Sequence, residues 1–226
     1  MQYGYFDLEN KEYVITTYDT PLPWMNYLSN GDLISLMSSY GGGYTFYKDA
    51  KKRRLTRFTY NSPSRDDRGR MCYIDDGQDI FSPSFYPCKT PLDHYECHVG
   101  LNYTHIKSIK NDLEMNELVF IPNKDNVEIN KISLKNKSNI TKKIKITYGV
   151  EFCLWDALDD FTNFQRNFST GEVEVSGNVI YHKTEYRERR NHYSFLATNK
   201  DITSFDTDRD SFLGLHGDYS LPRSIK

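Results

Sequence analysis

Ile144, Ile146, Tyr148, Val150 and Phe152 alternate strictly with Lys145, Thr147, Gly149 and Glu151. Successive side chains of an extended strand point to opposite faces, so this period of two gathers the apolar members on one side of a sheet. A helix would scatter them around its circumference. The same signal recurs. Val173-Glu174-Val175 and Val179-Ile180-Tyr181 flank Ser176-Gly177-Asn178, which reads as a hairpin with a three-residue connection. Leu101, Tyr103 and His105 alternate, and Leu113, Met115, Leu118, Phe120 and Ile121 predict two short strands. Between Ile129 and Ile132 the alternation slips phase, which predicts a bulge, and a further strand is expected from Tyr193 to Ala197.

No window carries a sustained helical stripe. Strands recurring about every ten residues, with turn signals between them, specify an all-β sandwich or barrel. Before residue 90 the pattern is less regular, with Gly41-Gly42-Gly43, several prolines and isolated aromatics, and reads as strands joined by long packed loops. Neither an internal repeat nor a low-complexity linker interrupts the chain. Residues 1–226 are therefore expected to form one domain.

Aromatic residues reach 15%, as 18 Tyr, 13 Phe and two Trp, which suits half-buried pleated surfaces and also the stacking of sugar rings. The 29 basic side chains are matched by 31 acidic ones, so the concentrated positive charge that a nucleic-acid backbone needs is missing. Lys51-Lys52-Arg53-Arg54 is the nearest candidate, but it is short, follows Asp49, and reads as a solvated loop. The opening Met1-Gln2-Tyr3-Gly4-Tyr5-Phe6-Asp7 lacks a basic and an apolar region and is not read as a secretory signal. No apolar run is long enough to span a bilayer. Sequons at Asn102, Asn136, Asn139 and Asn167 carry no meaning without secretion. Cys72, Cys88, Cys97 and Cys153 are irregularly spaced and read as reduced thiols of a cytoplasmic protein.

Cys88, His94, Cys97 and His98 offer zinc-ligating side chains, but strand-like spacing sends neighbours to opposite faces, and no metal is expected. Gly41-Gly42-Gly43 precedes another strand-like run, not a helix N-terminus, so it reads as a tight turn and not as a phosphate loop. Asp156, Asp159 and Asp160, in a presumed loop with Trp155 and Phe161, are candidates for the carboxylate pair of a glycosidase. After them, Phe161-Thr162-Asn163-Phe164-Gln165-Arg166-Asn167-Phe168 combines apolar rings with amide and guanidinium donors, the means by which a sugar's C–H faces and hydroxyls are held. The same composition equally describes a buried loop.

Several stretches, in order, resemble the cellobiose phosphorylases of glycoside hydrolase family ninety-four. They are Tyr3-Gly4-Tyr5-Phe6-Asp7, Glu12-Tyr13-Val14-Ile15-Thr16, and Thr20-Pro21-Leu22-Pro23-Trp24-Met25-Asn26-Tyr27-Leu28. Gly41-Gly42-Gly43-Tyr44-Thr45-Phe46-Tyr47-Lys48-Asp49, Arg54-Leu55-Thr56-Arg57 and Asn163-Phe164-Gln165-Arg166-Asn167 continue the series. The resemblance implies a large antiparallel β-sandwich of the galactose-mutarotase-like, or supersandwich, type, here lacking its last strands. In that family the sandwich precedes a helical linker and an (α/α)6 barrel, where an Asp protonates the glycosidic oxygen while inorganic phosphate attacks with inversion. Phosphate is a co-substrate and no cofactor is implied.

No residue here matches that Asp, so the resemblance argues against Asp156, Asp159 and Asp160 as catalytic acids. It assigns substrate binding to Gln165 and Arg166, whose loop in the family reaches the active site of the other subunit of a homodimer and touches the acceptor-side sugar. The expected ligand is a β-linked glucose disaccharide, with neither nucleic acid nor membrane as partner. Two alternatives are a non-catalytic carbohydrate-binding sandwich and a small glycosidase using Asp159.

Overall fold

A computed structural model describes residues 2–58, 68–162, 171–186 and 189–226, with the backbone alone for 185, 186 and 189–191. In chain order the strands begin with β1 (Gly4–Asp7), β2 (Glu12–Ile15), β3 (Met25–Ser29), β4 (Leu33–Ser38), β5 (Gly43–Tyr47) and β6 (Arg54–Thr56). Next come β7 (Met71–Asp75), β8 (Ile80–Phe81), β9 (His94–Val99), β10 (Tyr103–Lys110), β11 (Leu113–Phe120) and β12 (Ile129–Asn136). The last are β13 (Lys145–Gly149), β14 (Phe152–Trp155), β15 (Gly171–Ser176), β16 (Val179–Tyr186) and β17 (Arg189–Ala197). Two short helices, α1 (Ala157–Thr162) and α2 (Arg209–Leu213), complete the described elements.

The strands form four sheets, ordered β1-β2-β9-β10-β11-β12, β14-β6-β5-β4-β3, β13-β7-β8 and β15-β16-β17, and all pairs are antiparallel. Ile15, Cys97, Ile106 and Val119 of the six-stranded sheet meet Leu28, Leu33 and Met37 of the five-stranded sheet in one buried cluster. Beside it, Cys72, Ile74 and Phe81 of β7 and β8 pack on Leu113 and Met115 of β11. Two smaller sheets thus share one large facing sheet, and the architecture is the expected β-sandwich. Each aliphatic side chain so buried contributes about 1.5–3 kcal/mol.

β7 is buried on both faces. Cys72 and Ile74 point into the sandwich, whereas Met71 and Tyr73 pack on Tyr219 and Ile225 of the C-terminal segment. A strand covered on both sides shows a continuous apolar run, which is why Met71-Cys72-Tyr73-Ile74 offers no alternation to read.

Several expected boundaries are corrected. The alternating run from Ile144 to Phe152 is two strands in two sheets: β13 pairs with β7, and β14 pairs with β6. The alternation in sequence runs on through the crossover, although Ile146 is exposed and Cys153 and Leu154 are both buried, so it does not reveal where the pairing partner changes. The run from Leu113 forms one long strand, Leu113–Phe120, and not two, with Leu113, Met115, Glu117 and Val119 inside and Ile121 just beyond its end; the polar Glu117 at an inward position masks the continuity. No bulge interrupts β12, which pairs with β11 residue for residue from Ile129↔Phe120 to Asn136↔Leu113. The β15–β16 hairpin pairs Ser176 with Val179, so its connection is Gly177-Asn178 alone, with Gly177 at φ +56°. Leu101 lies in the turn before β10 and is exposed.

The glycine triplet is the tight turn expected, joining β4 to β5 with Gly41 at φ +88° and Gly43 at φ +123°. A Cβ on Gly43 would stand 2.0 Å from the Leu36 carbonyl oxygen. Into this close approach Arg70 donates from Nη1 to the carbonyls of Leu36 and Gly42 at 3.2 and 3.1 Å.

Candidate functional site

β14 ends in an irregular corner. Its register on β6 shifts between Phe152 and Trp155, and Trp155 has φ +73°, a conformation that a bulky residue adopts only under constraint. Asp156 follows as the cap of α1: its Oδ1 accepts the N–H groups of Leu158 and Asp159, both at 3.0 Å. The Ala157 N–H donates to the Lys51 carbonyl at 2.7 Å, pinning the start of the helix to the turn before β6.

One turn on, Asp160 is gripped by Arg57, which follows β6. Arg57 Nε donates to Oδ2 at 2.6 Å and Nη2 to Oδ1 at 2.9 Å, a two-point fork. Asp160 Oδ1 also accepts the Leu154 N–H at 3.3 Å. On its other side, Arg57 Nη1 stands 3.6 Å from Glu151 Oε2. Glu151 Oε1 in turn accepts from Arg209 Nε at 2.5 Å and from the Tyr219 hydroxyl. Burial opposes the Arg57 charge, but Asp160 and then Glu151 outweigh it and hold the guanidinium protonated. For Glu151 burial dominates and raises the carboxyl above its ordinary range, with Arg57 opposing.

These groups border a cleft of about 270 Å³ lined by Arg54, Arg57, Arg68, Asp160, Phe161 and Arg209. The Arg68 cation lies 5.7 Å from the Tyr219 ring centroid, and its Nε has no hydrogen-bond partner among the described residues. Next to the corner, His182 stacks on Phe152 with centroids 4.9 Å apart, and His192 stacks on Trp155 at 4.6 Å. Burial lowers the His182 pKa to about 4, which keeps the ring neutral.

Gln165 and Arg166, the residues assigned to sugar binding, lie outside the described residues, as does all of 163–170. The chain enters that segment directly from Thr162, the last residue of α1. The acidic cluster, read as a loop, is instead the helix α1 with its cap: Asp156 caps the helix and Asp160 takes the fork of Arg57. Asp159 donates its backbone N–H to Asp156.

The other candidate clusters are dispersed. Cys97 lies in the core and His98 on the opposite face of β9, between Glu12 at 2.7 Å and Glu96 at 3.0 Å. Among the described residues, no group of three or more His, Cys, Asp or Glu is placed to hold a metal ion. In the basic run, Lys51, Lys52 and Arg53 are exposed as expected. Arg54 is buried, donates to the Ala50 carbonyl, and lies 3.8 Å from the Tyr44 ring centroid. Glu151, Arg209, Tyr219 and the role of Arg57 escaped the sequence reading, because single charged residues far apart in the chain carry no local signal of their pairing.

Sheet-on-sheet packing with an ion-paired strand-to-helix corner, in which Asp156, Asp160 and Glu151 are engaged, defines an antiparallel supersandwich. The chain belongs to the family described as Glycosyl hydrolase 94, supersandwich domain, whose model matches residues 11–226. It is 33% identical to N,N'-diacetylchitobiose phosphorylase of Vibrio proteolyticus, covering 100% of this chain and 29% of that protein. The corresponding Vibrio furnissii enzyme is 31% identical, with 100% and 29% covered. Solabiose phosphorylase of Paenibacillus borealis is 28% identical, with 99% and 29% covered. The chain spans less than a third of the length of these relatives. Among the described residues, no helix is long and apolar enough to cross a membrane.

Proposed function

We propose that this chain acts as the N-terminal sandwich of an inverting disaccharide phosphorylase. There it would contribute acceptor-side sugar contacts through Gln165 and Arg166 and part of a homodimer interface, in the cytoplasm. The observation that carries this reading is the family match over residues 11–226, joined to the ordered motifs that end at Asn163-Phe164-Gln165-Arg166-Asn167. The engagement of Asp156 and Asp160 within the fold supports a catalytic acid supplied by another domain.

Two β-linked disaccharides are candidates. The motif resemblance favours cellobiose, which phosphorolysis converts to glucose 1-phosphate and glucose. The names of the two Vibrio relatives favour N,N'-diacetylchitobiose, which carries acetamido groups in place of the 2-hydroxyls.

The test is to express this domain together with a following catalytic domain, supply phosphate with either disaccharide, and identify the products by proton NMR. One of the two should yield an α-configured sugar 1-phosphate, as inversion at a β-linkage requires. Hydrolysis without phosphate consumption, or a β-configured product, would sink the reading. A second reading, a carbohydrate-binding sandwich acting without catalysis, draws on Tyr181, Tyr193 and Phe195, exposed on one face of the β15–β16–β17 sheet. Calorimetry of the 226-residue chain with both sugars separates the two: binding by the chain alone favours the module.

A further inference from the structure

We propose that the cleft between the β14–α1 corner and α2 binds a phosphoryl oxyanion, either inorganic phosphate or the phosphate group of a sugar ester, with Arg68 as its principal contact. Of the described residues that line it, Arg54, Arg57, Arg68 and Arg209 are basic and Asp160 alone is acidic. The four guanidinium groups come from β6, from the residue after it, from the approach to β7 and from α2, and they share a space of about 270 Å³. Like charges so placed repel one another, and the repulsion grows as water is excluded.

The four are not engaged alike. Arg57 gives Nε and Nη2 to Asp160 at 2.6 and 2.9 Å. Arg54 donates from Nε to the Ala50 carbonyl at 2.8 Å and covers the Tyr44 ring. Arg209 places Nε on Glu151 Oε1 at 2.5 Å and is otherwise exposed. Arg68 differs. Its backbone is held, since its carbonyl accepts the Glu151 N–H at 3.0 Å. Its guanidinium lies 5.7 Å from the Tyr219 ring centroid, and its buried Nε has no hydrogen-bond partner among the described residues. A charged donor taken out of water is tolerated where an acceptor meets it, so the geometry calls for an acceptor that a ligand brings.

Size and chemistry select the ligand. At about 30 Å³ per water molecule the cleft takes up roughly nine waters, which is room for a phosphate or a small phosphate ester. Sites for larger organic ligands run from about 300 to 1,000 Å³. A guanidinium is planar, stays protonated and meets two phosphoryl oxygens at once. A carboxylate offers two oxygens in one plane, whereas a phosphoryl group directs its oxygens to several sides and can meet Arg68 and Arg209 together. Phe161 on the rim is 70% exposed and presents an apolar face to the sugar of an ester.

The experiment is calorimetry of the 226-residue chain with sodium phosphate, glucose 1-phosphate, sodium acetate and sodium chloride at matched ionic strength, since salt of any kind screens exposed charges. Phosphate should bind, and acetate and chloride should not. Tighter binding of glucose 1-phosphate than of phosphate assigns the cleft to the ester, and equal or weaker binding assigns it to the free anion. Arg68→Gln should weaken phosphate binding about tenfold or more, the loss expected for one charge-assisted contact. Should that variant fail to fold, phenylglyoxal labelling of the parent chain, mapped by peptide mass, reads the same contact: phosphate should protect Arg68 and leave the exposed Arg53 labelled. Absence of phosphate binding, equal binding of acetate, unchanged affinity in a folded Arg68→Gln, or equal labelling of Arg68 with and without phosphate would each overturn the proposal. The assignment of Gln165 and Arg166 to the acceptor sugar would stand untouched.

Discussion

Arg70 and Glu128 meet between the sheets in a two-point ion pair, Nε to Oε1 at 2.6 Å and Nη2 to Oε2 at 2.7 Å. The pair is further satisfied on both sides. Thr45 donates to Glu128 Oε2 at 2.6 Å, and Arg70 also donates to Ser35 and to two backbone carbonyls at the glycine turn. A buried charge is tolerated only where such partners replace water.

The pair makes acid stability depend on Glu128. Burial alone would raise its pKa, but the Arg70 charge and hydrogen bonds, with Ser35 and Thr45, lower it from 4.5 to about 2. The unfolded chain takes up the proton near 4.5 and the folded one only near 2. The stabilisation is therefore complete above pH 4.5 and is lost as pH falls towards 2. Urea unfolding across that window should show a flatter acid limb for Glu128→Gln than for the parent. Identical slopes would remove Glu128 from the account.

His182 acts over a higher range with the same sign. Burial depresses its pKa from 6.5 to about 4, so between these values the unfolded chain binds a proton that the folded chain refuses. Stability from this residue is complete above pH 6.5 and declines as pH falls to about 4. His182→Phe keeps a ring on Phe152 and should remove that slope; a titration of unfolding midpoints that retains it argues against the assignment.

Two positive-φ glycines, Gly31 between β3 and β4 and Gly43 of the glycine turn, should respond differently to alanine. Gly31, at φ +97°, has open space where a Cβ would stand, so Gly31→Ala meets only the backbone strain, about 1 kcal/mol. Gly43→Ala adds a clash at 2.0 Å with the Leu36 carbonyl and should cost about 3 kcal/mol or more. Equal thermal midpoints for the two variants would contradict the close approach.

Thiol reactivity should follow burial. Cys72 and Cys97 lie in the core with burial pushing their thiols up, Cys97 to about 12, while Cys88 is only partly buried, at about 11. Because the thiolate is the reactive form, a disulfide reagent should modify Cys88 of the folded chain before Cys72 or Cys97, and peptide mapping identifies the site. Earlier labelling of Cys97 would show that the core opens readily.

Alternation is a local property, so β10, β16 and β17 and the all-β class are legible in residues such as Tyr103, His105, Tyr193 and Phe195. The turn at Gly41 to Gly43 is equally legible, since the conformations it needs are those glycine alone adopts freely. The ordered motifs also pointed to the family. What alternation does not encode is the partner: Ile146 and Phe152 share one pattern yet belong to different sheets, and Glu117 breaks the pattern while its strand runs on. Tertiary structure alone brought Arg57 to Asp160 and Arg209 to Glu151, and turned an acidic run that reads as a reaction centre into a helix cap and an ion pair. Strand propensity depends on neighbours in sequence, whereas the burial and pairing of charges depend on groups that only chain folding brings within a few ångströms.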